Sequence, residues 1–84
     1  ELVYWASLAE VVEVEKALAN GVDVNQTDDE GYSALQAAAE NGYLDVVQLL
    51  VSKGADVQHK APHTALELAE MAEQHEIATF LKSL

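Results

Sequence analysis

The sequence predicts an all-α protein assembled from short helices in repeated pairs. Three observations carry that prediction. Apolar residues recur at i, i+3 and i+4 along most of the chain, the spacing of one helix face. Glycines stand just past several of these stretches, at Gly21, Gly42 and Gly54, where a helix end wants left-handed backbone. The pattern also repeats. Gly21-Val22-Asp23-Val24 returns 33 residues later as Gly54-Ala55-Asp56-Val57, and Ser33-Ala34-Leu35 returns 31 residues later as Thr64-Ala65-Leu66. Helices this short are marginal alone in water, so the copies must cover one another.

Taken in order, residues 1–8 read as a first helix with Leu2, Trp5, Ala6 and Leu8 apolar. Trp5 falls where the middle copy has Ala38, and a ring that large is expected to cover the open end of the stack. Val12 to Ala19 is the second helix, ended by Asn20-Gly21. Gln26 to Gly31 then forms a turn whose tip holds Asp28, Asp29 and Glu30, three acids whose mutual repulsion argues against a stabilising role. Ser33 to Glu40 places Leu35, Ala38 and Ala39 on one face, and Asn41-Gly42 breaks it. Leu44 to Ser52 places Val46, Val47, Leu49 and Leu50 on one face, and Gly54 closes it. A second, shorter turn from Val57 to Thr64 carries His59, Lys60 and His63 where the first carries acids. Pro62 argues against helix there. Thr64 is placed to N-cap the next helix, with Glu67 at the capping-box position. Thr64 to Ala72 and His75 to Leu84 make the last pair, with Glu73 where a glycine is expected.

A repeat near 33 residues, with a turn and two helices per unit, resembles the ankyrin repeat family over nearly the whole chain. The middle copy carries the match. Against the family pattern G-x-T-P-L-H-x-A-A-x-x-G-H it has Gly31, Ser33, Ala34, Leu35, Gln36, Ala38, Ala39 and Gly42. Asp45, Val46, Val47, Leu49 and Leu50 continue the pattern, then Gly54-Ala55-Asp56-Val57-Gln58. The family's proline is Ala34 and Ala65 here, and its histidine is Gln36 and Glu67. The resemblance implies an all-α ankyrin-repeat solenoid: three helix-turn-helix units, about residues 1–27, 28–60 and 61–84, with two β-turn fingers and cap-like terminal units.

Composition bounds the function. No apolar run reaches the ~18 residues of a membrane span, and there is no cysteine for disulfide or thiolate chemistry. A compartment does not follow from this, although the cytoplasm fits slightly better than the periplasm. The formal charge of −11 opposes binding to nucleic acid phosphates and favours a basic protein partner. No phosphate loop, nucleophile elbow or convincing triad can be assembled, so catalysis is not expected, and neither is a cofactor. Asp56, His59 and His63 are the one conceivable metal set, but their spacing suits ligation on a helix and they sit in a turn.

Surface recognition remains. The resemblance implies that fingers and first helices line a concave face that grips a protein. Carried over by position, this face holds Asp29, Glu30 and Tyr32 on the first finger, and Glu40 and Asn41 on the helix after it. Ser7 and Leu8 correspond in the first copy; Ala61, His63, Met71 and Ala72 correspond in the third. Tyr43, at the turn, is a further aromatic expected to be exposed. Tyr32 is the favoured anchor, since tyrosine joins an apolar ring to a hydrogen-bonding tip. The expected function is a non-catalytic binding module, monomeric on its own. Two alternatives stay open: an inhibitor or immunity protein that blocks a bacterial toxin or hydrolase, and a structural or designed scaffold without a dedicated partner.

Overall fold

The structure, a computed structural model, describes residues 2–84. Its six helices are α1 (Leu2–Ser7), α2 (Val11–Ala19), α3 (Ala34–Asn41), α4 (Leu44–Ser52), α5 (Ala65–Met71) and α6 (His75–Lys82). Glu1, counted in the first helix by the sequence, lies outside the described residues. The fold is all-α, as expected. The first finger is less of a hairpin than its turn chemistry suggests: its only ladder pairing among the described residues is one isolated bridge, Thr27 with Ser33.

The helix starts are set by side chains. Ser33 caps α3 through its hydroxyl, which accepts from the Gln36 N–H, while Gln36 Oε1 accepts from the Ser33 N–H at 2.7 Å. Thr64 and Glu67 make the same reciprocal box at α5. The turn inside each helix pair uses left-handed backbone at one equivalent position. Gly42 supplies it in the middle copy with φ 86°, but Ala9 (58°) and Glu73 (60°) adopt it without being glycine.

The helices form two layers. α1, α3 and α5 pack closely side by side, and α2 and α6 each lie against the first helix of their own pair, as α4 does. Alanine permits the close approach: Ala34, Ala37, Ala38 and Ala39 of α3 are all buried. The second helices touch one another less, α4 and α6 only sparsely. A groove of about 430 Å³ lies between them, lined by Leu44, Gln48, His75, Glu76, Thr79 and Phe80. A stack tighter on one side than the other curves toward the tight side, so the first helices form the inner face. The core between the layers is Leu2, Val14, Leu35, Val46, Val47, Leu50, Ile77 and Leu81 with the buried alanines. Trp5 is half-buried against this core, its ring edge-on to Tyr4 at 5.0 Å.

Candidate interaction face

Polar side chains tie the copies in register. Gln36, where the family pattern has histidine, uses its oxygen to cap α3 and its amide to donate to the His63 carbonyl at 2.7 Å. Asn25 Oδ1 accepts from the Asp56 N–H at 2.7 Å, and the His59 ring Nε2 lies 2.8 Å from the Gly31 carbonyl. At the other helix ends, Asn41 Nδ2 donates to the Ser7 carbonyl and Gln74 Nε2 to the Glu40 carbonyl. The starts of α3 and α5 are therefore side by side, and so are the ends of α1 and α3. The first helices run parallel, and equivalent positions face the same way.

On α1 the buried positions are Leu2 and Ala6; Tyr4 and Ser7 lie on the opposite side at 100° per residue, and Leu8 follows in the turn just past the helix. The matching positions are Ala37, Glu40 and Asn41 on α3, and Leu68 and Met71 on α5 with Ala72 at its C-cap; of these Ala37 and Leu68 are buried. Leu8 is 48% exposed and Met71 65% exposed, and Glu40, Asn41 and Ala72 are exposed as well. Tyr4 is 54% exposed and was not singled out by the sequence reading. The signal was present: Tyr4 stands three and four residues before Ser7 and Leu8, on their face.

The finger residues divide by role. Asp28 holds the first finger: its Oδ1 accepts from the N–H groups of Glu30 at 2.9 Å and Tyr32 at 3.0 Å. The expectation that none of the three acids serves stability is thus corrected, because a carboxylate at a turn satisfies backbone donors. Asp23 and Asp56 do the same for Asn25 and Gln58. Asp29 and Glu30 are exposed and border an open concavity of about 620 Å³ formed by residues 26–30. Tyr32 is half-buried, and its phenol is raised above 10.0 by partial burial, then by the charges of Glu40, Glu30 and Asp28. Its ring therefore lies within electrostatic reach of both the finger and the far end of α3.

Tyr43 departs from expectation. It is half-buried and packs on the core, because it leads into α4 where Val46 and Val47 go inside. His63 and Ala61 are also half-buried. The second finger is tied to the start of α5: Lys60 Nζ and His63 Nδ1 each lie 3.7 Å from the Glu67 carboxylate. Glu67 is held below the ordinary 4.5 by the Thr64 backbone N–H first, then by Lys60 and His63, against desolvation. Lys16 and Lys82 also have acidic partners, Glu13 and Glu70. Among the described residues no group of three metal-ligating side chains converges, and no helix is long and apolar enough to cross a membrane.

A family model described as ankyrin repeats (3 copies) matches residues 3–83. The chain is 42% identical over 83 residues to the ankyrin repeat and KH domain-containing protein mask-1 of Caenorhabditis elegans, covering 95% of this chain and 3% of that protein. It is 33% identical over 58 residues to an acyl-CoA-binding domain-containing protein 6 homolog of Dictyostelium discoideum, covering 68% of this chain and 20% of the relative. It is 38% identical over 60 residues to the human NAD-capped RNA hydrolase NUDT12, covering 69% of this chain and 13% of that protein. The chain spans a fifth or less of each of these relatives.

Proposed function

Since the chain belongs to the ankyrin repeat family, whose repeats are generally non-catalytic protein–protein interaction modules, we propose that it binds a protein with a basic surface on its inner face. The observation that carries this reading is the composition of that face. Exposed Leu8 and Met71 flank Glu40 and Asn41, and the first finger adds Asp29, Glu30 and Tyr32. The four lysines do little to offset 15 acids, and three of them already face an acid of their own chain. Neutralising charge must come from outside, and acidic groups beside an apolar strip steer and select a cationic partner. Repeats locked by Gln36, Asn25 and Asn41 preorganise the face, so little ordering entropy is lost on binding. The chain acts as a monomer in this reading, its self-repulsion opposing a second copy.

Immobilised protein and an extract of the native source test this. Asp29→Lys with Glu30→Lys is expected to lose the captured partner, and Glu15→Lys with Glu76→Lys, on the second helices, to retain it. Asp28 stays unchanged, since reversing it would unravel the finger. Equal capture by both variants, or loss only with the second-helix pair, would overturn the inner-face reading.

A further inference from the structure

We infer that Asn20-Gly21 is a self-modification site, where the Asn20 side chain cyclises onto the Gly21 backbone and hydrolyses to aspartate or isoaspartate, and that the second such pair, Asn41-Gly42, is held out of this reaction by the neighbouring copies. The inference is independent of the inner-face reading.

The chemistry needs only water. The Gly21 backbone nitrogen, having lost its proton, attacks Asn20 Cγ. A bond forms between that nitrogen and Cγ, the bond from Cγ to Nδ2 breaks, and Nδ2 takes up the proton and leaves as ammonia. Water then opens the cyclic imide at either carbonyl. Opening at Cγ gives aspartate; opening at the main-chain carbonyl gives isoaspartate, with the chain continuing through Cγ. Glycine in the second place favours the attack, because no Cβ shields its nitrogen.

The two pairs share a sequence, so any difference between them is structural. Both glycines stand at positive φ, 91° and 86°. Both N–H groups donate to their own helix at 3.1 Å, Gly21 to the Leu18 carbonyl and Gly42 to the Ala38 carbonyl. Each site must therefore open before it reacts. Asn20 is the exposed C-cap of α2, and no side-chain hydrogen bond holds its amide among the described residues. The space over Gly21 is open, with nothing within 4 Å of where a Cβ would stand. Only the last turn of α2 has to fray, and helix ends open readily.

Asn41 is enclosed by all three copies. Its Nδ2 donates to the Ser7 carbonyl at 3.4 Å. Gln74 covers Gly42, with side-chain atoms 2.7–2.9 Å from where a Cβ would stand, and Gln74 is itself held by the Glu40 carbonyl at 3.2 Å. Cyclisation there must turn the amide off Ser7, free Gly42 from Ala38 and displace Gln74. Conversion at Asn20 places a new carboxylate at a helix C-terminus, where the macrodipole disfavours an anion. Isoaspartate also inserts one methylene into the main chain at the cap. Both changes loosen the end of α2 and alter no residue of the inner face.

The test ages the folded 84-residue protein in mildly alkaline buffer, which promotes loss of the amide proton, beside the same protein unfolded in urea. Cleavage after glutamate separates the two pairs, since Glu15 and Glu30 bracket Asn20 and Glu40 precedes Asn41. Mass spectrometry of the fragments reads the conversion of amide to acid at each. In the folded protein Asn20 is expected to convert at least about ten-fold faster than Asn41, and in urea the two rates are expected to converge. Gln74→Ala, which uncovers Gly42, should speed Asn41 several-fold and leave Asn20 unchanged, with circular dichroism verifying the fold. The isoaspartyl form, separated by ion exchange, should melt below the Asn20→Asp variant, which carries the charge without the extra methylene. Equal rates at the two sites in the folded protein, no conversion at Asn20, or an Asn41 rate indifferent to Gln74→Ala overturns the inference.

Discussion

Left-handed backbone at Ala9 and Glu73 stores strain that a glycine would release. At φ 58° and 60° a Cβ crowds the following carbonyl, whereas Gly42 serves the equivalent turn freely. Ala9→Gly and Glu73→Gly are each expected to stabilise the protein by about 0.5–1 kcal/mol, raising Tm by about 3–6 °C in a scanning calorimeter. The reverse change, Gly42→Ala, is expected to cost about 1–2 kcal/mol. Its Cβ would also fall 2.7 Å from Gln74 Oε1 and push that side chain off the Glu40 carbonyl. Glu67 carries a pH dependence. Its folded carboxyl titrates below the ordinary 4.5, so its contribution is complete above that value and is lost as pH falls through the lower folded value. Urea midpoints of the protein and of Glu67→Gln, which keeps the capping oxygen, should therefore differ at neutral pH and converge as pH falls below 4.5. A gap that widens in acid would contradict the assignment.

At the level of elements, periodicity and caps made most of the fold legible in the sequence. α4 runs from Leu44 to Ser52 as its apolar spacing and Gly54 imply, and Thr64 with Glu67 forms the box that the residue types imply. What stayed hidden depends on partners distant in the chain or on backbone alone. No local pattern shows that Gln36 replaces a histidine by bridging to a carbonyl 27 residues away, or that Asp28 is consumed by its own turn. The half-burial of Tyr43 and the exposure of Tyr4 depend on which neighbouring helix stands opposite, and a single sequence does not print that. Gln36 is the link whose removal should matter most. Gln36→Leu keeps the volume but orphans the Ser33 N–H and leaves the His63 carbonyl only the Ala61 N–H at 3.3 Å, and is expected to cost roughly 2 kcal/mol. Ser33→Ala, which loses only a cap, should cost about 1 kcal/mol. Chemical denaturation of the two variants compares them; a smaller loss for Gln36→Leu would show that the bridge contributes little.

Across the whole molecule, three copies that cannot bury their apolar sides singly do so by stacking, within 31 × 24 × 21 Å. Tight first helices and looser second helices give the stack two unlike faces. The inner one carries Tyr4, Leu8, Glu40 and Met71 beside an acidic finger; the outer one carries the grooves between second helices. In the proposed reading, an excess of 11 negative charges favours a cationic neighbour over a second copy. The central claim is that the inner face is where a partner sits. Amide chemical-shift mapping on the isotope-labelled protein, titrated with the partner captured from its native source, tests it most directly. The account predicts perturbations concentrated in the first finger and in the exposed residues of α1, α3 and α5. Perturbations concentrated on α2, α4 and α6, with those residues silent, would contradict it.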